Sequence, residues 1–170
     1  GLADYTPRRG VALTTKGRAL ALTMLRRHRL IETFLEQILG YDWTEVHGDA
    51  ERLEHAVSDT FIHRLDHYLG HPDVDPHGDP IPTAEGTIEM PEAVPLNTCR
   101  PGSRVRVMRL LDDRVSFLDL MKRHSVIPGE HLTIEEVNPT AGIVRVRHAG
   151  SEKDFTLSTD LAGGILVESA

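Results

Sequence analysis

The chain has 170 residues, 39% hydrophobic and 26% charged, with a net charge of −7, the balance of a soluble globular protein with room for one domain or two small ones. The acidic excess excludes a broad electrostatic surface for nucleic acid, which needs Lys and Arg against phosphate, and 5% aromatic content leaves few stacking platforms for single strands. A single cysteine, Cys99, excludes an intrachain disulfide and a thiolate-rich zinc site; with no apolar run long enough to span a bilayer and no signal peptide, a reducing, cytoplasmic setting is expected.

In chain order, residues 2–5 and 11–13 read as short strands joined by Pro7-Arg8-Arg9-Gly10, a hairpin with a basic tip that needs something larger to pack on. Thr14 or Thr15 is placed to cap a long helix, with Leu20, Met24, Leu25, Ile31, Phe34, Leu35 and Ile38 at helical period and Gly40 as its stop. Asp42 or Thr44 opens a second helical region running to about Leu69, with a break at Ser58-Asp59. From 71 to 101, seven prolines with Gly78 and Gly86 mark a loop or linker, with a short helix expected near 89–93. The remainder reads as a β unit: strands at 103–110, 132–137, 143–148, 154–157 and 165–168, and an amphipathic helix at 115–124. Strands this short and numerous predict a small SH3-like barrel, with Asp112 and Asp113 in the loop between its first strand and its helix.

The chemistry concentrates in Val46-His47-Gly48-Asp49-Ala50-Glu51-Arg52-Leu53-Glu54-His55. Read as helix, it stacks His47, Glu51, Glu54 and His55 at spacings of three and four, where helical side chains meet. His28 and Glu32 repeat the spacing on the preceding helix, giving six candidate metal ligands without sulfur. Charged residues on a helix are most often its solvated face. Here Val46, Ala50, Leu53 and Val57 form an apolar stripe that Glu51, Glu54 and His55 flank, and carboxylates beside a buried seam need a partner such as a divalent cation.

The order of parts and the strings Lys16-Gly17-Arg18, Arg27-His28-Arg29-Leu30 through Glu32, Trp43-Thr44-Glu45-Val46-His47, Glu54-His55 and Pro76-His77-Gly78-Asp79-Pro80-Ile81-Pro82 resemble the diphtheria-toxin-repressor family of metal-dependent transcriptional regulators. The resemblance is strong over the helical part and loose over the β part. It implies an α+β fold: residues 1–14 the wing hairpin of a winged-helix domain, 15–90 a helical metal-binding and dimerisation domain, and 91–170 an SH3-like (FeoA-like) domain, without the amino-terminal helix-turn-helix. Carried over by position, His28, Glu32 and His47 resemble an ancillary metal site, which a group from the barrel completes, with Asp112 or Asp113 as the expected ligand. Glu51, Glu54 and His55 resemble the primary, DNA-activating site, and Asp75 stands where some members place a further ligand. Manganese regulators usually carry Glu at the place of Glu51 and iron regulators Cys, so Mn2+ is expected first and Fe2+ second, with two sites per chain.

The function expected on this basis is a metal-sensing repressor of metal homeostasis, binding palindromic operators as a metal-activated homodimer with Phe61, Ile62, Leu65 and Leu69 at the seam. The 170-residue chain itself should lack specific DNA binding, since Arg8, Arg9, Lys16 and Arg18 reach phosphates and read no bases. Rival readings are a non-haem iron oxygenase using His28, Glu32 and His47 as a two-His-one-carboxylate triad, a di-iron enzyme, for which the paired Glu-x-x-His repeats are missing, and a metal-independent peptide-binding barrel.

Overall fold

The computed structural model describes residues 1–8, 10–149 and 153–170; Arg9 of the expected basic tip lies outside them. The chain divides into two units. One is formed by Gly1–Asp42, Val46–Asp75 and Pro80–Met90, the other by Trp43–Glu45, Pro76–Asp79 and Pro91–Ala170. Among the described residues no helix is long and apolar enough to cross a membrane.

In the helical unit, β1 (Ala3–Thr6) and β2 (Gly10–Leu13) pair antiparallel, Ala3 opposite Leu13. Every residue of both strands is exposed, so the hairpin depends on its junction with α1 (Thr15–Gln37). Thr14 caps that helix by accepting from the Gly17 N–H at 3.1 Å, while its own N–H donates to the Leu2 carbonyl at 3.0 Å. Gly17 has to be glycine: a Cβ there would stand 1.9 Å from the Leu2 oxygen.

Leu30, Ile31 and Leu35 of α1 are buried with Val46 and Ala50 of α2 (Val46–Glu54), Ile62 and Leu65 of α3 (Asp59–Tyr68), and Ile81. The expected break lies between Glu54 and Asp59, with Ser58 accepting from the Phe61 N–H to cap α3. Ile62 and Leu65, expected at a dimer seam, are instead spent in this chain's own core, because their face of α3 packs on α1; of that set only Phe61 is exposed. Residues 71–75 and 80–90 of the Pro-rich segment fold back on the same unit. Ile81 N–H donates to the Asp73 carbonyl at 2.8 Å, Arg26 holds the Pro82 carbonyl at 2.6 Å, and Arg29 holds that of Pro80. No helix forms at 89–93; Pro91 has no N–H to give, and the sequence there offers no apolar stripe to bury.

The second unit is a six-stranded antiparallel SH3-like sheet with two short helices. In chain order it contains β3 (Val94–Pro95), a 3-10 turn (Leu96–Thr98), β4 (Arg104–Leu110), α4 (Val115–Arg123), β5 (His131–Asn138), β6 (Ile143–His148), β7 (Asp154–Ser158), α5 (Thr159–Gly163) and β8 (Ile165–Ser169). The strand order is β3-β8-β4-β5-β6-β7. Alternation buries Leu132 and Ile134 of β5, Val144 and Val146 of β6, and Ile165 and Val167 of β8. In β4 a register shift between Val107 and Arg109 changes the parity, so Val105, Val107 and Leu110 all face inward. Trp43 packs on this core and stacks on His77, whose Nε2 lies 3.0 Å from the Trp43 carbonyl. The Leu110 N–H donates to the His77 carbonyl at 3.0 Å, and Gly78, at φ +84°, passes so close to the bulge that a Cβ would stand 2.0 Å from the Met108 oxygen.

Candidate metal centre

Helical spacing sets His28 and Glu32 one turn apart on α1, and packing of α2 against α1 brings His47 to them. His28 Nε2 lies 3.0 Å from Glu32 Oε1 and 3.1 Å from His47 Nδ1, and His47 Nδ1 lies 3.3 Å from the same carboxylate oxygen. One donor atom from each of the three falls within 4.8 Å of the other two. The Glu32 side chain is 4% exposed, His28 14% and His47 52%, so the carboxylate is sunk beneath two imidazoles with an approach from the His47 side. One oxygen and two nitrogens, with no sulfur, fit a borderline-to-hard divalent ion. Burial alone would lower the His28 pKa, but hydrogen bonds and charge from Glu32 and then Glu54 outweigh it and raise the pKa above the usual 6.5.

Glu54, at the end of α2, joins this group from the other side of the ring: His28 Nδ1 lies 2.7 Å from Glu54 Oε2. Glu51 and Glu54 line, with His28 and His47, the polar side of a groove of about 430 Å³ whose apolar side is Ala21, Met24 and Leu25. His55 Nε2 is 3.3 Å from Glu54 Oε1, on a side chain 69% exposed. Glu51, Glu54 and His55 do not gather three donor atoms within 4.8 Å among the described residues. The helix ends at Glu54, so His55 follows its last turn.

Asp75 is buried in the helical unit, 3.5 Å from Arg29 Nε and within 4.8 Å of a Glu32 oxygen. Asp112, in the sheet unit, is held by the Arg114 guanidinium at 2.9 Å, and those hydrogen bonds keep its carboxyl below the usual range; Asp113 is exposed. Sequence reasoning did not find the arginine clamps around the cluster. Arg27 donates to the carbonyls of Glu54 and Val57, both at 3.1 Å, and pairs with Asp59 at 2.5 Å, tying the break after α2 to α1. The one available signal was the run Arg26-Arg27-His28-Arg29, whose consecutive side chains point around most of α1 and so do not all lie on its solvated face.

A helical unit with a His-carboxylate cluster, followed by an SH3-like sheet, defines a two-domain metal-binding class, and comparison with known proteins agrees. Residues 14–83 match the family model "Iron dependent repressor, metal binding and dimerisation domain", and residues 94–169 match the FeoA domain. The iron-dependent repressor IdeR of Mycobacterium leprae (strain TN) is 33% identical over 99% of this chain and 77% of its own length. A solved manganese-dependent transcriptional repressor in complex with manganese is 41% identical at a TM-score of 0.92, over 100% of this chain and 78% of that one. The manganese regulator SloR is 33% identical at 0.84, over 99% and 77%. The chain belongs to the iron-dependent, or diphtheria toxin, repressor family of metal-dependent transcriptional repressors.

Proposed function

We propose that this chain senses Mn2+, with Fe2+ as second choice, and that ion binding sets the DNA-competent state of a homodimeric repressor controlling metal homeostasis. The observation that carries the reading is the buried Glu32 carboxylate facing two imidazoles across α1 and α2, in a chain of this family. Two sites are proposed: His28, Glu32 and His47, and Glu51, Glu54 and His55. Asp75, 3.5 Å from Arg29 and with a donor atom within 4.8 Å of one from Glu32, is proposed as a further ligand. Mn2+ is supported by the sulfur-free donor set and by Glu at position 51. When bound, the ion supplies positive charge that offsets the clustered carboxylates.

The chain's own residues define what that charge acts on. Glu32 and His28 ride on α1, and His47, Glu51 and Glu54 on α2, so drawing them together fixes one helix against the other. Such a contribution acts as a signal only to the extent that the ion prefers one arrangement. Homodimerisation is supported by the matched dimerisation domain and by the exposed apolar side chains of Leu20, Leu53 and Phe61. Residues 1–14 are proposed as the wing, residues 15–90 as the sensing and dimerising domain, and residues 91–170 as the domain that supports it. The exposed Arg8, Lys16 and Arg18 are suited to phosphates rather than base edges, so they are proposed to contribute affinity for DNA and no sequence selectivity.

Calorimetric titration of the metal-free chain with Mn2+ tests the reading. Two ions per chain are expected, one lost in the Glu51→Ala/His55→Ala double variant and the other in His47→Ala. Unchanged affinity and stoichiometry in the double variant would overturn the assignment of its site.

A further inference from the structure

The His28 ring is used at both nitrogens. Its Nε2 faces Glu32 Oε1 at 3.0 Å and His47 Nδ1 at 3.1 Å, and its Nδ1 faces Glu54 Oε2 at 2.7 Å. The other Glu54 oxygen lies 3.3 Å from His55 Nε2. With the side chains of His28 and Glu54 only 14% and 13% exposed, water is a poor substitute for either contact. A neutral imidazole has one lone pair and one N–H. An ion taken at Nε2, beside Glu32 and His47, therefore leaves the proton on Nδ1, where it donates to Glu54.

We propose that Glu54 serves both ion positions, as a ligand beside Glu51 and His55 and as the positioning residue that orients His28 for the other ion. The His28–Glu54 hydrogen bond then couples the two occupancies. The proposal rests on the two ligand sets given above and adds the link between them.

The backbone favours such a link. Arg27, next to His28, holds the Glu54 carbonyl at 3.1 Å, so consecutive residues of α1 fix both the main chain and the side chain of Glu54. A carboxylate that accepts the second N–H of a metal-bound histidine sets the ring's tautomer and orientation and strengthens it as a ligand. Here that carboxylate also lines the groove beside Glu51. Filling the His28 position gives Glu54 a fixed donor and a fixed rotamer, and thereby prepares the second position. Linkage requires the effect to be equal in the reverse direction.

The test is Mn2+ titration of the metal-free full chain by calorimetry in four variants. Glu51→Ala should keep one ion, at the His28 position. Adding Glu54→Ala should weaken that ion by about 10-fold or more, the range for loss of an orienting partner. Adding Glu54→Gln instead keeps a carbonyl acceptor for Nδ1–H and should recover most of the loss. His47→Ala should weaken the ion at the Glu51 position by a comparable factor.

Equal affinity in Glu51→Ala and Glu51→Ala/Glu54→Ala overturns the shared role. Equal losses for Glu54→Ala and Glu54→Gln assign the effect to charge alone and overturn the hydrogen-bond link. If Glu51→Ala and His47→Ala fail to remove one ion each, the ligand sets themselves are wrong, an outcome distinct from the other two. A long-range proton–nitrogen spectrum of His28 in Glu51→Ala loaded with Cd2+ gives an independent readout. A proton on Nδ1 is expected, and a metal-bound Nδ1 with the proton on Nε2 overturns the proposal.

Discussion

Gly17→Ala should release the amino-terminal hairpin, although alanine is the better helix former. Gly17 lies in the first turn of α1, where the substitution would ordinarily stabilise the helix by up to about 1 kcal/mol. The added Cβ would stand 1.9 Å from the Leu2 oxygen and 2.9 Å from the Leu2 carbonyl carbon, both backbone atoms, so no side-chain rotamer relieves the contact. Overpacking of this kind costs about 1–3 kcal/mol. A withdrawing Leu2 also forfeits the hydrogen bond from the Thr14 N–H, worth about 1 kcal/mol. Both strands are exposed throughout, so the hairpin has little else to hold it and the loss falls there rather than on the helical core. Hydrogen exchange should show faster exchange of the strand amides of Ala3–Thr6 and Gly10–Leu13 while the amides of 30–35 keep their protection, with the global melting temperature nearly unchanged. Unchanged hairpin protection together with a higher melting temperature would refute the steric argument.

Gly78→Ala meets both a left-handed φ of +84° and the Met108 carbonyl at 2.0 Å, and should cost about 2–4 kcal/mol from backbone strain and overpacking combined; a urea midpoint equal to the parent's would contradict this. Arg27→Ala removes the donor that joins the Glu54 and Val57 carbonyls to α1 and should destabilise by about 2–4 kcal/mol in chemical denaturation, little of it from Asp59, which is mostly exposed. Arg27→Lys should restore it only in part, because Nη1 holds both carbonyls while Nη2 reaches Asp59, a planar fork that one ammonium does not reproduce. His28 gives the metal-free protein a pH dependence of definite sign: its pKa is raised in the folded chain, so its stabilising contribution is complete below the ordinary value of 6.5 and is lost as pH climbs through the raised value. The metal-free melting temperature should fall across that window more steeply than in His28→Gln, while Mn2+, competing with the same proton, binds more tightly; parallel profiles for the two proteins would refute the assignment.

Local physics made much of this molecule legible. Thr14 and Ser58 announce helix starts because a hydroxyl acceptor serves the N–H three residues on. Ile31 and Leu35 announce a buried face by their spacing, and the β4–β8 strands by alternation. Elements too short to carry a period, β3, α5 and the 3-10 turn at Leu96–Thr98, escaped, since their placement is decided by pairing with β8 and by packing. Within the site, His28 and Glu32 were readable one turn apart. The meeting of His28 with Glu54, 26 positions along the chain, depends on how α2 lies on α1, and no spacing rule encodes it. Ile62 and Leu65 read as an apolar strip for a partner subunit, but periodicity alone does not say which surface will cover such a strip, and here it is α1.

Trp43 is the only tryptophan in the chain, and its neighbours in the sheet unit bear on how this protein can be divided. Residues 43–45 and 76–79 belong to the sheet unit, while the stretches on either side of them belong to the helical one. A cut near residue 90 would therefore not leave the sheet unit intact: the carboxy-terminal piece would lose the indole packed against its core and the His77 carbonyl that receives Leu110. The helical piece would carry both residues, still stacked on each other but without the sheet core and the Leu110 N–H that they meet in the whole chain. Dissection of sensing from support is better attempted by point substitution than by truncation.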